Sequence, residues 1–299
     1  MVRFTDIMNL GEDRERDQGS SRDDAGDERL WFTNTELIGL DKERSTPEPG
    51  EPGPGDSKQE EAASCYEKLL EKQREVSEKV KRSRGISPSP VLPDLHHIIQ
   101  EGLINELYDY ACLAPTGRPD LEAHIVAVTC GSMKMGKGLE YDMRGLLKLG
   151  LAAFFENVGM YRIPEEVLKK TDRLNREEME IIRRHPEISY EIISSMGKQY
   201  GWLAEIALQV HERADGSGYP RGLSGKEILE EASIIGLMDT YVSLISDRWQ
   251  RRRFIQPDAV RHIVTREKNR FPPRILKVFL GQISLFPVGT IVKLNNKYI

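Results

Sequence analysis

Residues 210–223 read VHERADGSGYPRGL and bring an imidazole, carboxylates and glycines together in one short string. His211 and Glu212 end an apolar stretch that reads as helix, and Asp215, Gly216, Gly218, Tyr219 and Pro220 then break it. Glycine takes positive φ freely, proline fixes its own φ, and aspartate caps or turns the backbone, so the run is a strongly specified loop. Turn chemistry alone leaves two readings open: a tight connection between helices with an incidental histidine, or a loop that presents its side chains to something. A second pair, Asp120 and His124, stands four residues apart on a predicted helix, which turns a carboxylate and an imidazole the same way. No competing catalytic set is present: there is no GxSxG, no CxxC, and no GxxxxGK followed by Ser or Thr. The string GSMKMGKG at 131–138 has the wrong spacing for a phosphate loop and falls among expected bundle helices.

The elements that must position these residues are helical. From Asp94 onward, apolar residues recur at spacings of three and four, predicting helices over 95–114, 119–135, 143–159, 176–196, 202–213, 228–248, 257–269 and 273–280. The end of the chain, SLFPVGTIVKLNNKYI, alternates apolar and turn residues and predicts a short hairpin or strand. Ahead of the bundle, residues 59–84 place Tyr66, Leu69, Leu70, Val76 and Val80 near helical spacing among dense charge, which predicts a solvated amphipathic helix and then, through GISPSPVLP, a Pro-rich linker to residue 93. Residues 1–58 are acidic and turn-rich and are expected to be a disordered tail, with a small apolar island at Leu30–Phe32 and Leu37–Ile38. The expected division is therefore 1–58 tail, 59–93 helix and linker, 94–299 domain.

Charge and cysteine content narrow the class. The net charge of −5 divides unevenly: residues 1–61 hold 17 acidic and 8 basic side chains, which leaves the remainder mildly basic. A diffuse positive balance of this kind accepts a small anion but does not predict DNA or RNA binding. Three cysteines, Cys65, Cys112 and Cys130, form no paired spacing, and no run of about 18 apolar residues exists. The expectation is a cytoplasmic chain without a membrane span.

The signature string resembles that of the HD-GYP family, two adjacent histidines, Glu, two variable residues and Asp-Gly-x-Gly-Tyr-Pro, with Val210 standing where the family has its first histidine. The resemblance covers roughly residues 94–296. It implies an all-α HD-superfamily bundle with a short C-terminal β element, and a metal-dependent phosphohydrolase that cleaves cyclic di-GMP. It further implies metal ligands at Asp120, His124, Glu156, His185, His211 and Asp239, one to two divalent ions (Fe or Mn, or Zn), and ligand-binding guanidiniums at Arg248 and Arg251. The partners implied are cyclic di-GMP and, through the Gly-Tyr-Pro loop, a GGDEF-domain or other signalling protein. Several positions depart from the family: the naming His-Asp pair reads Glu156-Asn157, the lysine that follows reads Met160, and an aspartate after Asp239 reads Val242. Neutral Asn is a poor substitute for a bridging carboxylate, and Met offers phosphate no charge.

Two functions remain in view: a degenerate HD-GYP protein that binds cyclic di-GMP or a partner with weak or no hydrolysis, and an active phosphodiesterase with a remodelled metal site. The acidic segment bears on neither, because it lacks the apolar content to build a core. Deleting residues 1–58 is therefore expected to leave the thermal midpoint within about 5 °C of the full chain, roughly 1–2 kcal/mol for a domain of this size. A larger fall would place the Trp31 island against the bundle.

Overall fold

The computed structural model describes residues 54–113, 120–170, 172–246, 254–283, 293–294 and 297–298. The expected disordered segment up to residue 53, the Trp31 island, and Arg248 and Arg251 lie outside the described residues.

Among those residues the chain is helical almost throughout. In order it runs α1 (Pro54–Lys81), α2 (Leu92–Gln100), α3 (Ile104–Leu113), α4 (Leu121–Gly138), α5 (Met143–Phe155), α6 (Glu165–Leu168), α7 (Arg176–Arg183), α8 (His185–Ser194), α9 (Gly201–Gln209), α10 (Glu230–Ile245), α11 (Gln256–Arg266) and α12 (Pro273–Gln282). A 3-10 turn at Val158–Arg162 follows α5. Two short strands, β1 (Lys293–Leu294) and β2 (Lys297–Tyr298), pair antiparallel at the C-terminal end. An all-α bundle with a short terminal β element is thus the observed architecture.

Local chemistry sets most boundaries. Asp142 caps α5 by accepting from the Gly145 amide, and Asn175 and Glu178 form a reciprocal capping box on α7. Two expected helices are each split in two. The stretch 95–114 divides into α2 and α3 at a turn through Gly102, whose φ is +69°. The stretch 176–196 divides after Arg183, with Pro186 in the first turn of α8, where its missing N–H is of no consequence. The periodicity on both sides is legible in the sequence; the breaks are not, because apolar spacing continues across them.

Helices α4 and α10 form the centre. Residues 232–244 of α10 are buried without interruption, as expected of a helix surrounded by others, and α4 packs against α1, α3, α5, α10 and α12. The Gly-rich string 131–138 lies inside α4, with Gly131 through Gly136 buried, and forms no loop. Helix α1 differs from the solvated helix expected of it. Its charged face is exposed, but Ala62, Tyr66, Leu69, Gln73, Val76 and Val80 are buried in the same core as the rest, against α3, α4 and the 3-10 turn. Dense surface charge hides a complete apolar stripe.

Leu69 is fully buried, so Leu69→Ala should destabilise the chain by about 2–5 kcal/mol through lost burial and a residual cavity. Urea denaturation followed by circular dichroism measures this, with exposed Glu71→Ala as the control. A loss under about 1 kcal/mol would show that α1 adds little to the core.

Candidate functional site

The buried polar residues gather where α4, α5, α8, α9 and α10 meet. His124, one turn into α4, reaches Asp239 on α10, with Nε2 and Oδ1 2.8 Å apart. Asp239 is itself buried, and burial pushes its carboxyl up. The hydrogen bond and charge of His124, with His211 and Arg213 beyond, outweigh that and hold it below the ordinary aspartate range.

His185 opens α8 and His211 follows α9. Their Nε2 atoms are 2.8 Å apart, and the rings meet edge to face at 84°. His185 Nδ1 lies 2.8 Å from the Ile182 carbonyl. A carbonyl only accepts, so Nδ1 carries the proton and Nε2 presents a lone pair. His211 Nε2 then donates to it. Burial pushes His185 down to about 4, and burial followed by the neighbouring His185 pushes His211 well below the usual imidazole range. Both rings are accordingly neutral at neutral pH.

Glu156 and Asn157 close α5 and are buried, at 1% and 0% exposure. The Asn157 side-chain amide donates to Glu156 Oε1. Burial, and then the charge of Asp239, push the Glu156 carboxyl well above its ordinary range. Glu156 Oε2 and Asn157 Oδ1 are buried with no hydrogen-bond partner.

Asp120 is placed differently from its expectation. Its backbone is extended, and it caps α4 from outside, with Oδ1 accepting from the Glu122 amide at 3.0 Å. Its side chain is 36% exposed, with Arg74 4.0 Å away. The four-residue spacing assumes that Asp120 is already helical; as the cap it precedes the first turn and is spent on an amide. The positions where the family has polar residues and this chain does not are also placed: Met160 sits in an apolar cluster with Ile163, Val167, Met179 and Ile182, while Val210 and Val242 belong to the main core.

The loop after His211 is held by the glutamate of the signature. Glu212 Oε1 accepts from the Arg221 amide at 2.7 Å and Oε2 from the Leu223 amide at 2.9 Å, so one buried carboxylate pins both returning residues. Asp215 accepts from the Ser217 amide and hydroxyl, a local turn at the exposed tip. Tyr219 folds back so that its ring stacks on His211, 5.0 Å apart and 3° from parallel. Sequence reasoning misses Arg213, which is 3% exposed, donates to the Val210 and Glu212 carbonyls and lies over Phe271. An arginine beside a loop gives no signal that it will turn inward.

This arrangement bears on whether the site suits a cation. Among the described residues, no three His, Cys, Asp or Glu side chains are grouped so as to hold a metal ion. His124 is engaged with Asp239, His185 with His211, and Asn157 with Glu156. One position fits in part: the two Nε2 atoms are 2.8 Å apart, somewhat closer than the roughly 3.3 Å between two nitrogens bound tetrahedrally to one ion, and would both face it once the His211 proton moved to Nδ1, while one oxygen of Glu156 lacks a partner.

Gly218 is the tightest point of the loop. A Cβ there would lie 2.4 Å from the Arg213 amide nitrogen and 2.5 Å from the Glu212 Cα, both backbone atoms that cannot swing away. Gly218→Ala should therefore destabilise the chain by more than about 2 kcal/mol, whereas Gly281→Ala, with open space around it in α12, should be neutral or stabilising by up to about 1 kcal/mol. Thermal melting of the two variants side by side checks this; equal midpoints would show that the loop is not held against the end of α9.

A family model described as HD domain matches residues 111–275, more than half of the chain. Among curated proteins the chain is 27% identical over 173 residues to the cyclic di-GMP phosphodiesterase PA4108 of Pseudomonas aeruginosa, covering 58% of this chain and 42% of that one. It is 29% identical over 176 residues to the cyclic di-GMP phosphodiesterase PdeB of Borreliella burgdorferi, covering 59% and 46%. It is 36% identical over 131 residues to the cyclic di-GMP phosphodiesterase response regulator RpfG of Xanthomonas campestris, covering 44% and 35%. Each match spans less than half the length of the relative. With the model match across the bundle, the chain belongs to the HD domain family.

Proposed function

We propose that this chain acts in cyclic di-GMP signalling as a degenerate HD-GYP domain, binding cyclic di-GMP or a partner protein with weak or no hydrolysis. The observation that carries this reading is that the residues matched to the family's ligands are buried and hydrogen-bonded to one another, with only Glu156 Oε2 and Asn157 Oδ1 left without a partner. Glu156, His185, His211 and Asp239 are each no more than 3% exposed, and the replaced positions Met160, Val210 and Val242 are part of apolar packing. A phosphodiester can be hydrolysed only where water and a charged group reach the phosphorus together. Nothing in this set supplies the positive charge that the family lysine would.

The family cofactor is a divalent cation, Fe or Mn with Zn as a further candidate, one to two ions at most, and it would supply a Lewis acid and an activated water. In this chain His185 and His211 are the residues to hold one ion, and Glu156, Asp239 and His124 are the further donors assigned to it. Asp120 contributes to the helix cap instead. Arg248 and Arg251, with forked guanidiniums suited to phosphate and guanine edges, are assigned to cyclic di-GMP. The exposed tip of the signature loop, Asp215 and Ser217, is the surface offered to a GGDEF-domain or other signalling partner. No described helix is long and apolar enough to cross a membrane, and the reading involves neither a membrane nor nucleic acid and places the chain in the cytoplasm.

A second reading, an active phosphodiesterase with a remodelled site, is favoured by one observation, the His185–His211 separation that suits an ion. The test is hydrolysis of cyclic di-GMP to linear product, followed by chromatography with added Mn or Fe under low oxygen. The parent should turn over far below about 1 per second, an ordinary enzymatic rate. The triple change Glu156→His, Asn157→Asp and Met160→Lys should raise it, since one restored electrostatic group alone can be worth about 100-fold. A parent at an ordinary rate would overturn the binding reading; a triple variant that binds two ions yet stays inert would move the deciding losses to Val210 and Val242.

A further inference from the structure

Two donors beside the buried histidines have no acceptor. Arg183 ends α7, two residues before His185, and its Nε is buried without a hydrogen-bond partner. The hydroxyl of Tyr219 is buried without one as well. The two side chains touch: the Arg183 guanidinium carbon lies 5.5 Å from the centre of the Tyr219 ring. That ring in turn stacks on His211 and meets His185 edge-on at 6.3 Å. Guanidinium, phenol and imidazole therefore form a column that runs from the half-buried Arg183 down to the sealed pair.

Leaving a buried donor unsatisfied costs about 1–3 kcal/mol, so two in contact call for an explanation. The nearby carboxylate does not provide one. Glu180 lies 3.6 Å from another nitrogen of Arg183 and is 61% exposed, a loose pair within one helical turn. A water would satisfy either atom alone. An anion with several oxygens satisfies both and neutralises the guanidinium, and a fork of N–H donors with a phenol beside it matches phosphate geometry. The location agrees. Ile182, immediately before Arg183, and Tyr219 both pack on the cluster that contains Met160, the position where the family lysine is missing.

We propose that Arg183 and Tyr219 form a phosphate-binding pair at the mouth of the histidine site, with Arg183 supplying from α7 the charge that Met160 does not. The ligand class is a phosphodiester, and the proposal rests on the ligand-binding reading above while adding residues that reading does not use. Neither residue is assigned a catalytic role.

The experiment is calorimetric titration of the full chain with cyclic di-GMP and, separately, with inorganic phosphate. It compares the parent with Arg183→Ala, Arg183→Lys and Tyr219→Phe, with Arg184→Ala as a neighbouring control. Arg183→Ala should weaken binding roughly 10-fold or more, Tyr219→Phe by a few-fold, and Arg183→Lys should recover part of the loss, with a flatter salt dependence in Arg183→Ala than in the parent. A merely structural role would not change the salt slope. If the parent binds cyclic di-GMP and Arg183→Ala binds equally well, this proposal falls and the broader reading stands. If the parent binds phosphate through Arg183 but not cyclic di-GMP, the pair stands and the ligand of the broader reading falls. A parent that binds neither overturns the pair. Tyr219→Phe keeps the ring stack, so a folded variant is at hand should Arg183→Ala melt early.

Discussion

Asp239 stays charged in the middle of an all-helical core, and the arrangement around it follows from that. An ionised carboxylate removed from water carries a penalty of several kcal/mol unless partners meet it. In a metalloenzyme a cation would be such a partner. His124 is one, at 2.8 Å, with the Arg213 guanidinium adding to the field. Burial, and then the charge of Asp239, keep Glu156 protonated more readily than an ordinary glutamate, and the Asn157 amide donates to its Oε1. One electrostatic constraint thus accounts for much of the polar centre: each group matched to the family's ligand set has found a neighbour.

The rest of the fold serves that centre. Helices α4 and α10 carry His124 and Asp239 and are the most deeply packed, so the two residues cannot drift apart without opening the core. The signature loop, by contrast, is anchored by side-chain to backbone bonds from Glu212 and by the stack of Tyr219 on His211. A rigid pair and a pinned loop together produce a closed site. The fold alone does not decide between catalysis and binding.

How far the sequence can be read differs between residues for physical reasons. Helices are legible from apolar spacing, and the loop at Asp215–Pro220 from its turn residues. The pairing of His185 with His211 is legible only as membership of one set, since nothing in a linear string fixes a 2.8 Å contact between residues 26 apart. Asp120 is expected inside the helix but stands as its cap, because four-residue spacing is meaningful only when both residues lie within the helix. Helix α1 is underestimated because charged residues dominate its composition while its buried stripe is narrow. Arg213 and Arg183 carry no sequence signal, as arginine is ordinarily a surface residue and only the tertiary arrangement turns these two toward the site.

The central claim is that the residues matched to the family's ligands are paired with one another, leaving a single position for an ion. Metal content of freshly purified, dialysed full chain, counted by mass spectrometry, tests it most directly. The account predicts fewer than about one Fe, Mn or Zn per chain, because only the His185–His211 position retains donors at a suitable separation. Two or more tightly held ions per chain would contradict it and return the site to the metal-dependent enzymes of its family.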